Sequence, residues 1–436
     1  MYPVHAPTVV DLFAGAGGIS EGFRLAGFRP VAGSDIDPDA CATYARNFPD
    51  ATVIHGDVRS HALTALLEAC AGADVVVGGP PCQAFSQVRN HVRLIDDSRN
   101  SLYKEFVNVV SKVLPPVFLM ENVTGIDQMG FREQIVADLE LDGEYAVLPQ
   151  VIDAADVGVP QTRKRLIFIG VRKALHIAPP LVGQSSATRS LGLSRAAGSA
   201  GGRYKLRAAE DLFAAQVFGS LRDPEDMSAV SAEQALSDLQ SIPCGNRNDV
   251  IDYADLPSAK SAYQRYMRNG NGAELHNVQV PRLREDTAAR LRAIPPGGNH
   301  RDLPQALIQR NLSGQKWGPE NGSGLLSRRH FYAYRRLHPD IWSWTLNTKA
   351  DSVYHYGEIR SLSVREFARL HSFPDRFVFT TDPRPGPLLG RHDGGPAHSR
   401  YRQVGNAVPP LLARACAAAI KEAVFSHRSS TELRVA

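Results

Sequence analysis

The run Gly78-Gly79-Pro80-Pro81-Cys82-Gln83-Ala84-Phe85-Ser86 places one thiol directly after the apolar stretch 73–77, on a segment that two prolines stiffen and two glycines clear. A cysteine there stands on a loop at the carboxyl end of a strand, where substrate rather than core would meet it. With a reference pKa near roughly 8.5, it needs cations or hydrogen-bond donors nearby to act as a thiolate nucleophile. Gln161-Thr162-Arg163-Lys164-Arg165, leading into 166–170, offers them, and strand alternation puts Arg163 and Arg165 on one face. A plain solvated charge run is the other reading of those residues. Cys41, Cys70 and Cys416 fall in helical patterns and read as packing residues. The five cysteines form no Cys-x-x-Cys pair and do not cluster with the 14 histidines, which argues against a disulfide framework and against a zinc site.

A second constellation points to a cofactor. Asp11-Leu12-Phe13-Ala14-Gly15-Ala16-Gly17-Gly18 falls where a first strand turns into a first helix, and its glycines let backbone approach a ligand at the helix N-terminus. It is neither the Gly-x-Gly-x-x-Gly fingerprint nor a phosphate loop with Lys-Ser/Thr, so a polyphosphate is not specially favoured. Asp35 after the second strand is placed to accept hydrogen bonds from ribose hydroxyls, and Asp57 after the third could meet an adenine amino group. Either carboxylate could instead cap the next helix. The three features in order favour an adenosyl cofactor without a long phosphate tail.

The elements that must position these residues alternate. Residues 8–13, 30–33, 52–54, 73–77, 117–120 and 166–170 read as strands, and 19–26, 39–47, 63–70 and 102–113 as helices. That alternation predicts an α/β fold, a doubly wound, mostly parallel sheet covered by helices on both faces. From Pro179 the character changes: 183–202 is rich in Ser, Ala and Gly, and the stretch to about Asn347 has little sustained periodicity, so a linker and an irregular second domain are expected. Helical pattern returns at 364–370 and at 411–422, the latter after a polar turn at Gly405-Asn406, and the chain end is expected to rejoin the first domain. Residues 381–398, with four Pro and four Gly, read as an exposed loop. The 436 residues are too many for one compact core, and no apolar run reaches the roughly 18 residues of a membrane helix. No secretory leader is evident at the start, so a cytoplasmic, nucleoid-associated protein is expected. The formal charge is +4, but residues 181–350 hold 22 Lys and Arg against 16 Asp and Glu, making this segment the candidate for an anionic partner.

Six ordered motifs resemble those of DNA (cytosine-5) methyltransferases of the bacterial restriction-modification type. They are Asp11–Gly18, Pro80-Pro81-Cys82-Gln83, Glu121-Asn122-Val123, Gln161-x-Arg163-x-Arg165, the run from Arg360-x-Leu362-Ser363 to Phe373-Pro374-Asp375-x-Phe377, and Gln403-x-Gly405-Asn406-Ala407-Val408-Pro409. The resemblance covers roughly 1–175 and 330–415. It implies a methyltransferase fold of Rossmann-like type with a catalytic domain of 1–178 completed by 399–436, and a target-recognition part with hinge over 179–398.

The resemblance also implies S-adenosylmethionine as cofactor, leaving as S-adenosylhomocysteine, with no metal. Phe13 would lie against the adenine, Asp35 on the ribose and Asp57 on the adenine amino group. Ile36 and Val58 would complete the apolar slot, while Ala14, Gly15, Gly17, Gly18, Pro80, Asn406 and Ala407 complete the cofactor set. Cys82 would be the nucleophile that adds to cytosine C6, and Glu121 the acid at N3, its pKa raised by the pocket. Arg165 would contact the base O2, and Arg163 would support the same pocket. The target base must be flipped out of duplex DNA, at a cost of a few kcal/mol. Ser86, Arg89, His91, Arg93 and Arg99 on 86–102 would contact that DNA, with Arg265 and Arg268, interspersed with Tyr263 and Tyr266, in the middle segment. A transfer-RNA methyltransferase and a catalytically silent DNA binder are the alternatives. A monomer, with a restriction endonuclease acting on the same site, completes the expectation.

Overall fold

The computed structural model describes residues 6–60, 62–81, 102–128, 130–183, 229–307, 334–392 and 395–426. The first half alternates β1 (Thr8–Leu12), α1 (Gly18–Leu25), β2 (Arg29–Asp35), α2 (Pro38–Asn47), β3 (Thr52–His55), α3 (Ala62–Cys70), β4 (Val75–Gly78), α4 (Leu102–Val113), β5 (Val117–Val123), α5 (Arg132–Glu140), β6 (Tyr145–Asp153) and β7 (Lys164–Arg172). The seven strands form one sheet in the order β3-β2-β1-β4-β5-β7-β6. β1 to β5 run parallel, whereas β7 is antiparallel to both β5 and β6. The doubly wound, mostly parallel sheet is therefore present, with one reversed strand.

Strands covered on both faces carry near-continuous apolar runs, and the alternation of their side chains divides the core in two. Val9, Val75, Val77, Val117, Leu119, Ile167 and Ile169 face one layer, together with Ile19 and Phe23 of α1. Val10, Val76, Phe118, Met120 and Phe168 face the other, with Leu66, Phe106 and Leu139 of α3, α4 and α5. Two elements of the sheet region escaped the sequence reading. α5 is weakly amphipathic, and β6 is an edge strand whose middle is only half-buried.

The middle segment contains α6 (Ala232–Leu236), β8 (Val250–Asp252), α7 (Ala262–Arg268), β9 (Glu274–His276) and α8 (Glu285–Ala293). β8 and β9 form a small two-stranded antiparallel sheet. α9 (Val364–Leu370), α10 (Gly395–Asn406) and α11 (Pro410–Ile420) follow. Part of the middle segment shares the first core layer: Ala232, Leu236, Tyr263 and Met267 are buried with Phe367, Phe373, Leu411 and Ile420. Leu239, Ile242, Leu256, Leu275, Val278 and Val280 form a separate small cluster. α11 lies against α1 so closely that a Cβ on Gly22 would overlap Ala413 and the Pro410 carbonyl.

α10 corrects two expectations. The expected loop 381–398 ends at a helix that starts at Gly395, and Gly405-Asn406 is the last residue pair of that helix rather than a free turn. Its sequence hides the helix because its buried side chains are polar and bonded across the fold. Ser399 Oγ donates to Asp39, Arg402 to Asp37, Gln403 to the Thr380 carbonyl and Tyr401 to the Leu362 carbonyl. No helix among the described residues is long and apolar enough to cross a membrane.

Candidate active site

The glycine turn after β1 is built around Asp35. Phe13 and Gly15 both take left-handed backbone, at φ 57° and 54°. Ala14 N–H donates to the Ser34 carbonyl, and Gly15 N–H donates to Asp35 Oδ2 at 2.8 Å. The other oxygen of Asp35 accepts from Asp37 N–H at 2.8 Å. Each oxygen holds one amide and keeps acceptor capacity for a hydroxyl donor. Burial raises the Asp35 pKa against the opposing pull of those amides. Asp11, fully buried one turn away, is pushed up to about 7 by burial, although Ser20 donates to it from both hydroxyl and amide.

The glycines of this turn are not equivalent. A Cβ on Gly17, at φ 99°, would come within 2.6 Å of the Phe48 ring, and one on Gly18 would overlap the Val408 carbonyl oxygen. Around the Cβ position of Gly15 there is open space. The turn is thus backed by protein on one side and open on the other, with Ile36 exposed at its rim. This open ledge beside a carboxylate fits the adenosine part of an S-adenosyl cofactor. Val58 is buried in the second core layer with Phe13 packed against that layer. Asp57 accepts from the Arg59 amide and pairs with the Arg59 guanidinium at 2.7 Å, which holds its carboxyl below the usual range.

Glu121 lies near the end of β5, where that strand pairs with β7 so that Glu121 opposes Ile167 and Val123 opposes Arg165. Arg165 Nε reaches Glu121 Oε1 at 2.6 Å, both side chains being about one-tenth exposed. A Cβ on Gly79 would stand 3.0 Å from the other carboxyl oxygen. The backbone that leaves β4 therefore passes directly over Glu121, bringing the segment that precedes Cys82 to the same spot. Pro80 is part of that passage, and its carbonyl accepts from Asn122 Nδ2 at 3.4 Å.

Arg163 and Gln161 play a different part from Arg165. Arg163 donates to the carbonyls of Leu346 (3.3 Å) and Gly405 (2.8 Å), and burial, with Arg165 nearby, drives its pKa well below the usual value. Gln161 donates to His371 Nδ1 at 2.9 Å and accepts from Leu346 N–H at 3.0 Å. His371 in turn donates from Nε2 to the Ala407 carbonyl at 2.9 Å, which assigns it the neutral Nε2–H form, and burial holds its pKa well below the usual value. His371 was not singled out from sequence, although it lies within the 360–377 motif. Asn406 is thus exposed between two neighbours, Gly405 and Ala407, bolted by Arg163 and His371. The next residue, Val408, is the one that backs Gly18. Arg163 therefore orients the wall and binds it to the Asn406 segment instead of reaching into the open site.

Cys82, Ser86, Arg89, His91, Arg93 and Arg99 lie outside the described residues. Of the arginines expected to meet DNA from the middle segment, Arg265 is exposed and donates to the Lys260 carbonyl. Arg268 corrects its expectation. Its guanidinium pairs with Asp238 at 2.6 Å, donates to the Pro257 carbonyl and covers the Tyr253 ring, so it is tied into the protein. Tyr263 is buried with its hydroxyl on the Arg369 carbonyl, and Tyr266 packs against the first core layer. On α7, Tyr263 and Tyr266 are thus packing residues, while Arg265 stays exposed.

The model of the family C-5 cytosine-specific DNA methylase matches residues 7–422. The chain is 32% identical to the Type II methyltransferase M1.HphI of Haemophilus parahaemolyticus, covering 95% of this chain and 86% of that protein. It is 31% identical to M.AgeI of Thalassovita gelatinovora (95% and 99%) and 32% identical to M.XorII of Xanthomonas oryzae (96% and 85%). Among solved structures, a prophage-encoded E. coli protein described as a DNA modification methyltransferase shares the fold at TM-score 0.62 and 24% identity, over 96% of this chain and 99% of its own. With the glycine ledge, the Glu121–Arg165 pair and a family match spanning nearly all of its length, this chain belongs to the C-5 cytosine-specific DNA methylase family and is an S-adenosylmethionine-dependent DNA (cytosine-5-)-methyltransferase.

Proposed function

We propose that Cys82 is the nucleophile and Glu121 the acid of this reaction, with Arg165 holding both Glu121 and the base. The observation that supports the reading is the passage of Gly79 against Glu121, which brings the residues that precede Cys82 to the paired carboxylate. Cytosine C5 is too weak a nucleophile to accept a methyl group unaided. The Cys82 thiolate adds to C6, the ring electrons move toward N3, and Glu121 holds the proton that N3 takes up. C5 is then enamine-like and nucleophilic. S-adenosylmethionine, when bound, supplies an electrophilic methyl group. Once C5 is methylated, loss of the C5 proton to a base or water restores the ring and expels the Cys82 thiolate.

The cofactor would rest on Phe13, Ala14, Gly15, Gly17 and Gly18, with Asp35 on the ribose, Asp57 toward the adenine, Ile36 and Val58 at its apolar edge, and Pro80, Asn406 and Ala407 at the methionine end. Arg163 and His371 act as positioning residues for that end. Ser86, Arg89 and Arg99 are proposed to hold the flipped strand, with Arg265 as a further phosphate contact. Residues 1–178 and 399–436 form the catalytic part, and 179–398, which includes the 360–377 motif, forms the target-recognition part and hinge. The Type II relatives support a partner endonuclease that cuts the same site. The methyltransferase is proposed to act as a monomer.

Transfer of labelled methyl to a mixed-sequence duplex, and separately to transfer RNA, tests the assignment with Cys82→Ser beside wild type. Label on DNA cytosine C5 with wild type alone is the expected result, and sequencing the labelled sites identifies the target. Label on transfer RNA, or turnover by Cys82→Ser, would remove the assignment.

A further inference from the structure

The proline- and glycine-rich segment before α10 does not stand away from the protein. Asp39, in the first turn of α2, fastens both of its ends. Its Oδ1 accepts from Asp382 N–H at 3.0 Å and from Arg391 at 3.2 Å, while Oδ2 accepts from Ser399 Oγ at 2.7 Å. The Arg391 guanidinium also ties the segment to itself, donating to the carbonyls of Asp382, Arg384 and Gly386.

What this buckle presents is a tight turn. Arg391 N–H donates to the Leu388 carbonyl, and Gly390 sits at φ 79°. Gly390 lies so close to β2's exit that a Cβ there would overlap the Ile36 carbonyl. His55, at the end of β3, has Nε2 3.1 Å from the Ile36 carbonyl oxygen and 3.3 Å from that of Leu389, so one N–H bridges the turn to the strand. Leu389 is 60% exposed and Ile36 39%, two of the five large apolar side chains left exposed among the described residues. The turn that carries Leu389 thus meets the backbone of Ile36, the residue after Asp35.

We infer that the 381–392 segment is the outer wall of the cofactor slot, with Leu389 and Ile36 forming the apolar surface that receives the adenine of the S-adenosyl group. An exposed leucine at the tip of a turn held rigid by four carbonyl and carboxylate contacts has lost its conformational freedom already, so ligand contact buries apolar area at little ordering cost. The inference rests on the adenosyl reading of the ledge. It extends that reading to a segment outside the six motifs.

The test is the equilibrium affinity of the full-length protein for S-adenosylhomocysteine, by calorimetry, in wild type, Leu389→Met, Leu389→Ala and Leu389→Asp. Duplex affinity and thermal midpoint are measured on the same samples. Expected are a loss of roughly threefold for Leu389→Ala and tenfold or more for Leu389→Asp, Leu389→Met staying within twofold, with duplex affinity and thermal midpoint unchanged. Wild-type affinity retained in both Leu389→Ala and Leu389→Asp overturns the wall and leaves the ledge intact. Equal loss in duplex binding or thermal midpoint also overturns it, since a structural role would do that. No binding by wild type overturns the adenosyl reading and the wall with it.

Discussion

Two groups of buried carboxylates in this protein are shifted in opposite directions. In the cluster around α9, Arg369 donates all five of its N–H groups, to Asp238, Asp375 and the Ala235 carbonyl. Arg360 grips Glu366 through two bonds of 2.8 Å. Burial works against charge there, yet the guanidinium groups win, and Asp375 and Glu366 are held below their usual values. At the glycine ledge, Asp11 and Asp35 have only amides and a hydroxyl, burial wins, and both are raised. Asp11 Oδ1 has no hydrogen-bond partner among the described residues. Burial that is compensated by guanidinium groups builds a joint between α6, α7 and α9. Burial left partly uncompensated sets the carboxylates of the glycine turn apart from that joint.

The largest effect is expected where compensation is most complete. Arg369→Ala removes the guanidinium hydrogen bonds of Asp375 and leaves Asp238 with Arg268 alone, and should cost about 3–5 kcal/mol of stability, read from chemical denaturation. A loss below 1 kcal/mol would show that the cluster is not a joint. Glu121→Gln should leave the denaturation midpoint nearly unchanged while lowering the methyl-transfer rate by roughly 10²–10⁴-fold, which single-turnover kinetics would read. Comparable losses in both would erase the distinction between the two regions.

Gly22→Ala forces a methyl group into Ala413 at the α1–α11 crossing, for an expected destabilisation of about 1–3 kcal/mol by thermal denaturation. The pH dependence of stability sharpens the contrast between the two carboxylate groups. With its folded value near 7 and its usual value 3.8, Asp11 contributes stability below about pH 4 that is lost as pH rises toward 7. Glu366 and Asp375 do the reverse, contributing above about pH 4 and failing as pH falls through their lowered values. Asp11→Asn should therefore flatten urea midpoints between pH 4 and 7 and leave the acid-side fall in place. The smallest effect is Arg268→Ala, because Asp238 keeps Arg369. It should cost about 1 kcal/mol and leave duplex affinity, by fluorescence anisotropy, at the wild-type value.

Much of the fold was legible because the sheet is buried on both faces. β1, β4, β5 and β7 are apolar runs, α4 and α9 match their expected ranges, and the glycine turn falls where β1 meets α1. α10 was not legible, since its buried face includes the polar Ser399, Arg402 and Gln403, whose partners lie over 300 residues away at the start of α2 or in the segment before the helix. Nor could spacing distinguish Arg163 from Arg165 or Arg268 from Arg265. All four are charged, and only their partners differ.

Residue type and order along the chain were sufficient for the α/β class, the family and the chemistry, because apolar periodicity, obligatory glycines and a cysteine between prolines and a polar run are local properties. Tertiary contact alone decided which charges remain available. It tied Arg163 to the Leu346 and Gly405 carbonyls, set Arg165 on Glu121, locked Arg268 to Asp238, and folded the 381–392 segment back onto Ile36. The reason is that a buried charge or polar group takes its role from the partner that offsets its desolvation, and that partner is rarely a neighbour in sequence.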